Sequence, residues 1–137
     1  MDKDTIILKL KSYFSQKQNI SAVYLFGSVA KNKNNSSSDV DVAILFTGGM
    51  DSLQRFEAKL DIANDLEDLL AIKVDVVDLK SADVFFMHQI MLGKELIIDN
   101  DLHRRVDFEV KSRREFFDMQ PFYDLYHSQA LKRLEEM

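Results

Sequence analysis

Asp39 and Asp41 open an otherwise apolar run, "DVDVAILF" (39–46), which follows a polar loop and a Gly27-Ser28 pair. Side chains alternate along a strand, so Asp39, Asp41, Ala43 and Leu45 share one face and Val40, Val42 and Ile44 the other. Two residues of strand rise place the two Asp alpha carbons about 6.7 Å apart. Full charges at that separation repel by roughly 2.5 kcal/mol at an effective dielectric of 20. Desolvation adds to the penalty and would raise at least one pKa. A divalent cation reverses the sign. Magnesium favours carboxylate and phosphate oxygens, and two Asp on one strand face can bridge two ions.

An isolated Asp-x-Asp more often caps a strand start at a wet edge, so its surroundings must decide. Gly27 ends an apolar strand and has no side chain to block a phosphate nearing the backbone. Ser28 offers a hydroxyl and an amide, and a helix starting there would favour an anion. A third acid stands in "KVDVVDL" (73–79). Asp75 and Val77 share one face and Val76 and Asp78 the other, so only one Asp can join the first pair. Asp75, flanked by Val within the strand, is the candidate. Asp78, at the strand exit, is expected to cap a loop.

These residues need a frame to hold them. Residues 4–17 read as an amphipathic helix through Ile7, Leu10 and Phe14. Strands are predicted at 21–26, 39–46 and 73–79, with an edge strand at 94–99. The 39–46 strand, apolar on both faces, should lie inside the sheet. A helix over 53–70 should face inward through Leu53, Phe56, Leu60, Ala63, Leu66 and Leu70, after an N-cap at Asp51 or Ser52. A short helix over 83–92 ends at Gly93, and 101–137 is helical, interrupted by Pro121. Helices alternating with short strands indicate an α+β (mixed α/β) fold. The expected organisation is one domain over 1–137, a catalytic core at 1–100 with a C-terminal helical extension at 101–137.

Composition narrows the partners. The chain has 137 residues, is 46% hydrophobic, carries a net charge of −5 and contains no Cys. That excludes a disulfide framework and agrees with a reducing cytoplasm. No apolar run reaches the roughly 20 residues of a membrane span, and the N-terminus does not read as a secretory signal. The longest basic cluster is an Arg pair, at Arg104-Arg105 and Arg113-Arg114, so direct nucleic-acid binding is not expected.

Gly27-Ser28, ten intervening residues, Asp39-Val-Asp41 and a later Asp75 resemble the G-S-x(10)-D-x-D signature of the DNA polymerase β-type nucleotidyltransferases. Within that superfamily, the chain's length and its stretches "VDVVDLKSAD" and "QIMLGKELI" resemble the minimal nucleotidyltransferase (MNT) antitoxins of HEPN–MNT toxin–antitoxin pairs, over roughly residues 20–123. The resemblance implies a small central mixed sheet of about four strands with flanking helices. It also implies magnesium-dependent transfer of AMP from ATP to a tyrosine hydroxyl of a HEPN ribonuclease toxin, as in a type VII-like pair. On that pattern Asp39, Asp41 and Asp75 hold the metals, with Asp75 favouring deprotonation of the acceptor. Gly27, Ser28, Lys31 and Ser38 hold the nucleotide. Where relatives often read G-S-x-A-R-G, this chain has Lys31-Asn32 in place of Arg-Gly, which loses the Arg fork and a glycine.

Other features point less sharply. His88, His103 and His127 lack metal-ligand spacing and read as surface or helix-packing residues. No R-x(4–6)-H-x-Y stretch of the HEPN type is present, so the chain looks like the transferase partner. The "NKNNSSS" loop is a linker or a flap over the nucleotide. Phe108, Phe116, Phe117, Phe122, Tyr123 and Tyr126 crowd the end of the chain. They either pack back on the sheet or form a docking face. That second possibility supports an alternative, an antitoxin that blocks its toxin by binding alone. Transfer to a small molecule is a lesser alternative, because such relatives hold the acceptor with a further domain.

Overall fold

The computed structural model describes residues 1–33 and 38–136. Its elements run α1 (Lys3–Phe14), β1 (Ile20–Phe26), α2 (Gly27–Ala30), β2 (Val40–Phe46), α3 (Ser52–Leu70), β3 (Val74–Asp78), α4 (Val84–Leu92), β4 (Glu95–Asp99) and α5 (Leu102–Glu135), with a 3₁₀ turn at Leu79–Ser81 after β3. The four strands form one sheet in the order β3-β2-β1-β4. β1 is antiparallel to both β2 and β4, and β2 is parallel to β3, so the sheet is mixed as expected. The run 39–46 contains the interior strand β2, and 94–99 contains the edge strand β4.

Strand alternation divides the core in two. Val40, Val42 and Ile44 of β2 join Val23 and Leu25 of β1 beneath α1 and α3. Ala43 and Leu45 join Ala22 and Tyr24 beneath α4, with Phe108 of α5 alongside. Each aliphatic side chain fully buried in this way contributes on the order of 2 kcal/mol. Both apolar faces of β2 are therefore occupied along its length, except where Asp41 stands.

The longer helices, α1, α3, α4 and α5, start on side-chain caps. Asp2, Asp83 and Asp101 accept the amides of Thr5, Phe86 and Arg104, and Asp51 forms a reciprocal capping box with Gln54. α1 buries Ile6, Leu10 and Phe14, so Ile6 takes the inward place expected for Ile7. α3 departs further from expectation. It buries Arg55, Ile62, Leu66 and Leu70, whereas Leu53, Phe56 and Leu60 are exposed. The cause is polar: Arg55 turns inward to bind Asp78 of β3, and this rotates the first two turns of the apolar stripe outward.

α5 is continuous through Pro121, contrary to the predicted interruption. A proline inside a helix forfeits one backbone hydrogen bond. The helix is solvent-exposed around Pro121, where water can satisfy the freed carbonyl. At 34 residues it is about 51 Å long. Its aromatic residues divide: Phe116 stacks on His88 and meets Phe85 edge-on, and Tyr123 packs on Phe85. Phe117, Phe122 and Tyr126 stay exposed. Among the described residues no helix is long and apolar enough to cross a membrane.

Candidate active site

The sheet places the acids on neighbouring strands. Asp41 lies opposite Asp75 in the parallel β2–β3 ladder and opposite Phe26 in the antiparallel β1–β2 ladder. Opposed residues share a face, so Phe26, Asp41 and Asp75 form one row across the sheet, on the α4 side. The row ends where β1 turns into α2. Asp39 stands two residues before Asp41, just outside β2, with its Oδ2 3.9 Å from Lys73 Nζ. Both partners are substantially exposed, and such a pair is worth little.

Burial, then the charges of Asp75 and Asp39 and a hydrogen bond with Asp75, push the Asp41 carboxyl up to about 6. Among the described residues no Lys or Arg forms an ion pair with Asp41 or Asp75. The donor set is all carboxylate oxygen, the chemistry a hard divalent cation prefers. It is not a closed chelate: among the described residues no three His, Cys, Asp or Glu already stand as a metal cluster. The charges of Asp75 and Asp39 disfavour ionisation of the Asp41 carboxyl, while Asp39 itself lies near Lys73. The residues fit a magnesium-type ion by donor type and by their mutual repulsion.

Gly27 has a sharper role than leaving room for a phosphate. Its φ is +76°, and a Cβ there would collide with Asp41 Oδ2 and lie 3.0 Å from Asp41 Cγ. Any side chain at this position would evict the Asp41 carboxyl from the turn. Ser28 follows in α2, half-buried. Lys3 Nζ braces this turn by donating to Ala30 O at 2.9 Å while pairing with Glu95 at 2.6 Å. Lys31 sends its stem across to Gly93, where an added Cβ would sit 2.8 Å from Lys31 Cε. Gly93 itself has φ −120°, so it is needed for space and not for a left-handed cap. Asn32 has φ 55°, a left-handed backbone that Asn tolerates better than most residues. Ser38 is half-buried immediately before Asp39. The flap reading of "NKNNSSS" falls largely on residues 34–37, outside the described residues.

Asp78 is bound differently. Its carboxylate accepts from the Lys80 amide, as a loop cap does, and also from Ser81 Oγ and Arg55 Nε, the last at 2.8 Å. Four residues around the site had not been singled out in the sequence: Phe26, Phe86, Lys3 and Arg55. Phe26 could have been found from the alternation that carries Tyr24 to the Gly27 turn. Phe86 meets it edge-on at 6.2 Å between ring centroids. Lys3 and Arg55 act across the fold and leave no local signal.

The sequence profile of the family described as "Polymerase beta, Nucleotidyltransferase" matches residues 8–103. The chain is 35% identical over 75 residues to the protein adenylyltransferase MntA of Shewanella oneidensis, a match covering 54% of this chain and 51% of that protein. It is 36% identical over 72 residues to MJ0128 of Methanocaldococcus jannaschii, covering 53% of this chain and 69% of that one. The match thus spans about half the length of the Shewanella relative. Among solved structures, a toxin–antitoxin with AMP-PNP superposes with a TM-score of 0.72 at 24% identity, covering 96% of this chain and 99% of that one. A complex of tri-AMPylated Shewanella oneidensis HEPN toxin with MNT antitoxin gives 0.72 at 21% identity, covering 94% and 98%. At these identities the likeness is one of fold.

Proposed function

This chain belongs to the polymerase beta nucleotidyltransferase family, and from that premise we propose that it is an antitoxin that transfers AMP from ATP to a tyrosine hydroxyl of a HEPN toxin. The observation that carries the proposal is the pair Asp41 and Asp75, in register on adjacent strands against the glycine turn, with no Lys or Arg among the described residues ion-paired to either. The relatives named as adenylyltransferases and the HEPN–MNT complex support it by analogy.

In this reading Asp39, Asp41 and Asp75 hold magnesium, which when bound supplies positive charge to the triphosphate and the acceptor oxygen. Gly27 and Ser28, at the turn, bind the triphosphate through backbone amide and hydroxyl, and Lys31 and Ser38 lie on the nucleotide side. The acceptor oxygen forms a bond to the α-phosphorus, the bond to the pyrophosphate oxygen breaks, and the hydroxyl proton passes to the Asp75 carboxylate. Asp41, with its carboxyl near 6, is mostly ionised at neutral pH, as a metal-holding role requires. ATP and a ribonuclease target make the cytoplasm the site of action. The test is to incubate the chain with a HEPN toxin, ATP and magnesium, and weigh the toxin. Mass gain in multiples of AMP is expected, and an active toxin of unchanged mass refutes the proposal.

The exposed outer half of α5 favours a second reading, neutralisation by binding alone. Phe117, Phe122, Tyr126, Leu131 and Leu134 all face solvent there. If the Asp39→Ala, Asp41→Ala double variant still protects cells, binding suffices.

A further inference from the structure

A groove of about 540 Å³ runs along the outer edge of β3, floored by Val76 and Val77, with Phe56 and Lys59 of α3 on one side and Asp83 and Phe86 on the other. Neither the metal-holding acids nor the glycine turn uses it, yet it opens directly off the acid row, because Val76 follows Asp75 in the same strand.

The backbone of β3 says what kind of molecule fits. Val40 N–H donates to Lys73 O at 3.0 Å, so the groups of residue 73, and by alternation those of Asp75 and Val77, point toward β2. Those of Val74, Val76 and Asp78 point away from the sheet. Glu67 Oε1 already accepts the Val74 amide at 3.2 Å. β3 is the sheet's edge, and no described residue is bonded to the Val76 N–H or C=O on the outer side. An open strand edge is a template for another extended chain.

The walls add a side-chain preference. Arg55 turns inward to Asp78, and Phe56 is left 50% exposed beside the edge; Phe86 is 41% exposed opposite it. Phe86 touches Phe26, the aromatic member of the acid row, so an aromatic surface continues from the groove to Asp41 and Asp75. A chain paired with Val76 has a side chain within about one residue's rise, roughly 3.3 Å, of the level of Asp75.

We infer that the β3 edge receives the acceptor-bearing segment of the protein substrate as an added strand, with the acceptor's aromatic ring laid against Phe86. This rests on the transferase reading for the identity of the substrate, but the docking is measurable without the chemistry. The paired backbone donor and acceptor of Val76 suit the backbone of an extended polypeptide, and the exposed rings select tyrosine over serine or threonine.

The test is amide hydrogen exchange at Val76 in the chain alone and in saturated complex with a HEPN toxin, with magnesium and a non-hydrolysable ATP analogue. Exchange at Val76 should slow at least tenfold on binding. Unchanged exchange in the saturated complex overturns the inference, whatever the toxin's mass. Slowed exchange with no AMP transferred from ATP supports the docking and sinks the transferase reading. If Val76 is slowed in the chain alone in proportion to its concentration, the edge pairs with a second copy and the inference falls. Val76→Pro removes only an outward-facing N–H, which an edge strand tolerates, and should lower transfer at least tenfold; wild-type transfer would overturn the strand pairing. Phe86→Ala should raise KM for the toxin at least threefold and Phe86→Tyr should restore it, whereas an unaltered KM in Phe86→Ala overturns the aromatic contact.

Discussion

Asp75 and Asp78 are three residues apart on the same strand, yet the fold treats them in opposite ways. At the exit of β3, Asp78 is buried and accepts from Arg55, from Ser81 and from the Lys80 amide, so its charge is fully compensated. Nearer the strand's start, Asp75 faces Asp41 across the ladder, without an ion pair among the described residues and with a third carboxylate nearby. One end of the strand uses an acid to hold the structure together. The other sets Asp41 and Asp75 together with no ion pair to either among the described residues, the arrangement that the proposed cation site requires. The two ends are also coupled, because the inward turn of Arg55 toward Asp78 exposes Phe56 beside the β3 edge.

Substitution separates the two ends. The largest effect is expected at the open end, in activity: Asp75→Asn or Asp41→Asn should lower AMP transfer by about 1,000-fold, equivalent to roughly 4 kcal/mol of barrier, as read by the mass of the toxin over time. Loss of less than tenfold would mean the row is not the reaction centre. Next comes stability at the closed end. Asp78→Ala leaves Arg55 buried without its carboxylate and should cost about 3 kcal/mol by urea unfolding. Asp75→Ala should cost far less, and equal losses would erase the distinction.

The smallest effect has the opposite sign. Asp41 has a folded pKa raised from 3.8 to about 6, so the folded state holds more protons than the unfolded state between those values. Its neutral form stabilises the fold fully below about pH 4, and that contribution is lost as pH rises through about 6. Asn mimics the neutral form. In chelator-containing buffer at pH 8, Asp41→Asn should therefore be more stable by about 1 kcal/mol, a figure reduced for the partial exposure of the carboxyl. The gain should vanish near pH 4. A destabilised Asn variant at pH 8 would show that Asp41 is a structural acid like Asp78.

Much of this architecture could be read in advance because it is written in local periods. Strand alternation set the faces of 39–46, and the two hydrophobic clusters follow that division. The spacing from Gly27-Ser28 to Asp39 and Asp41 marked one end of the sheet; alternation allowed only one of Asp75 and Asp78 to join them, and the place of Asp75 between two valines favoured it. The reading failed where distant residues compete. The apolar stripe of α3 was placed on Leu53, Phe56 and Leu60 because nothing within that helix reveals that Arg55 has a buried carboxylate to reach. Pro121 read as a break because proline's local cost is real, but one lost hydrogen bond in a long solvated helix does not end it.

By itself, then, the sequence determined which side chains share a face, where strands end, and which acids stand close along the chain, since covalent spacing fixes these within a few ångströms. Only the tertiary structure decided the rest. It set Asp41 opposite Asp75, pressed the Asp41 carboxyl against a glycine that can carry no Cβ, and drew Arg55 away from solvent to Asp78. Each of these depends on a contact between elements, and its energy is absent until the sheet assembles.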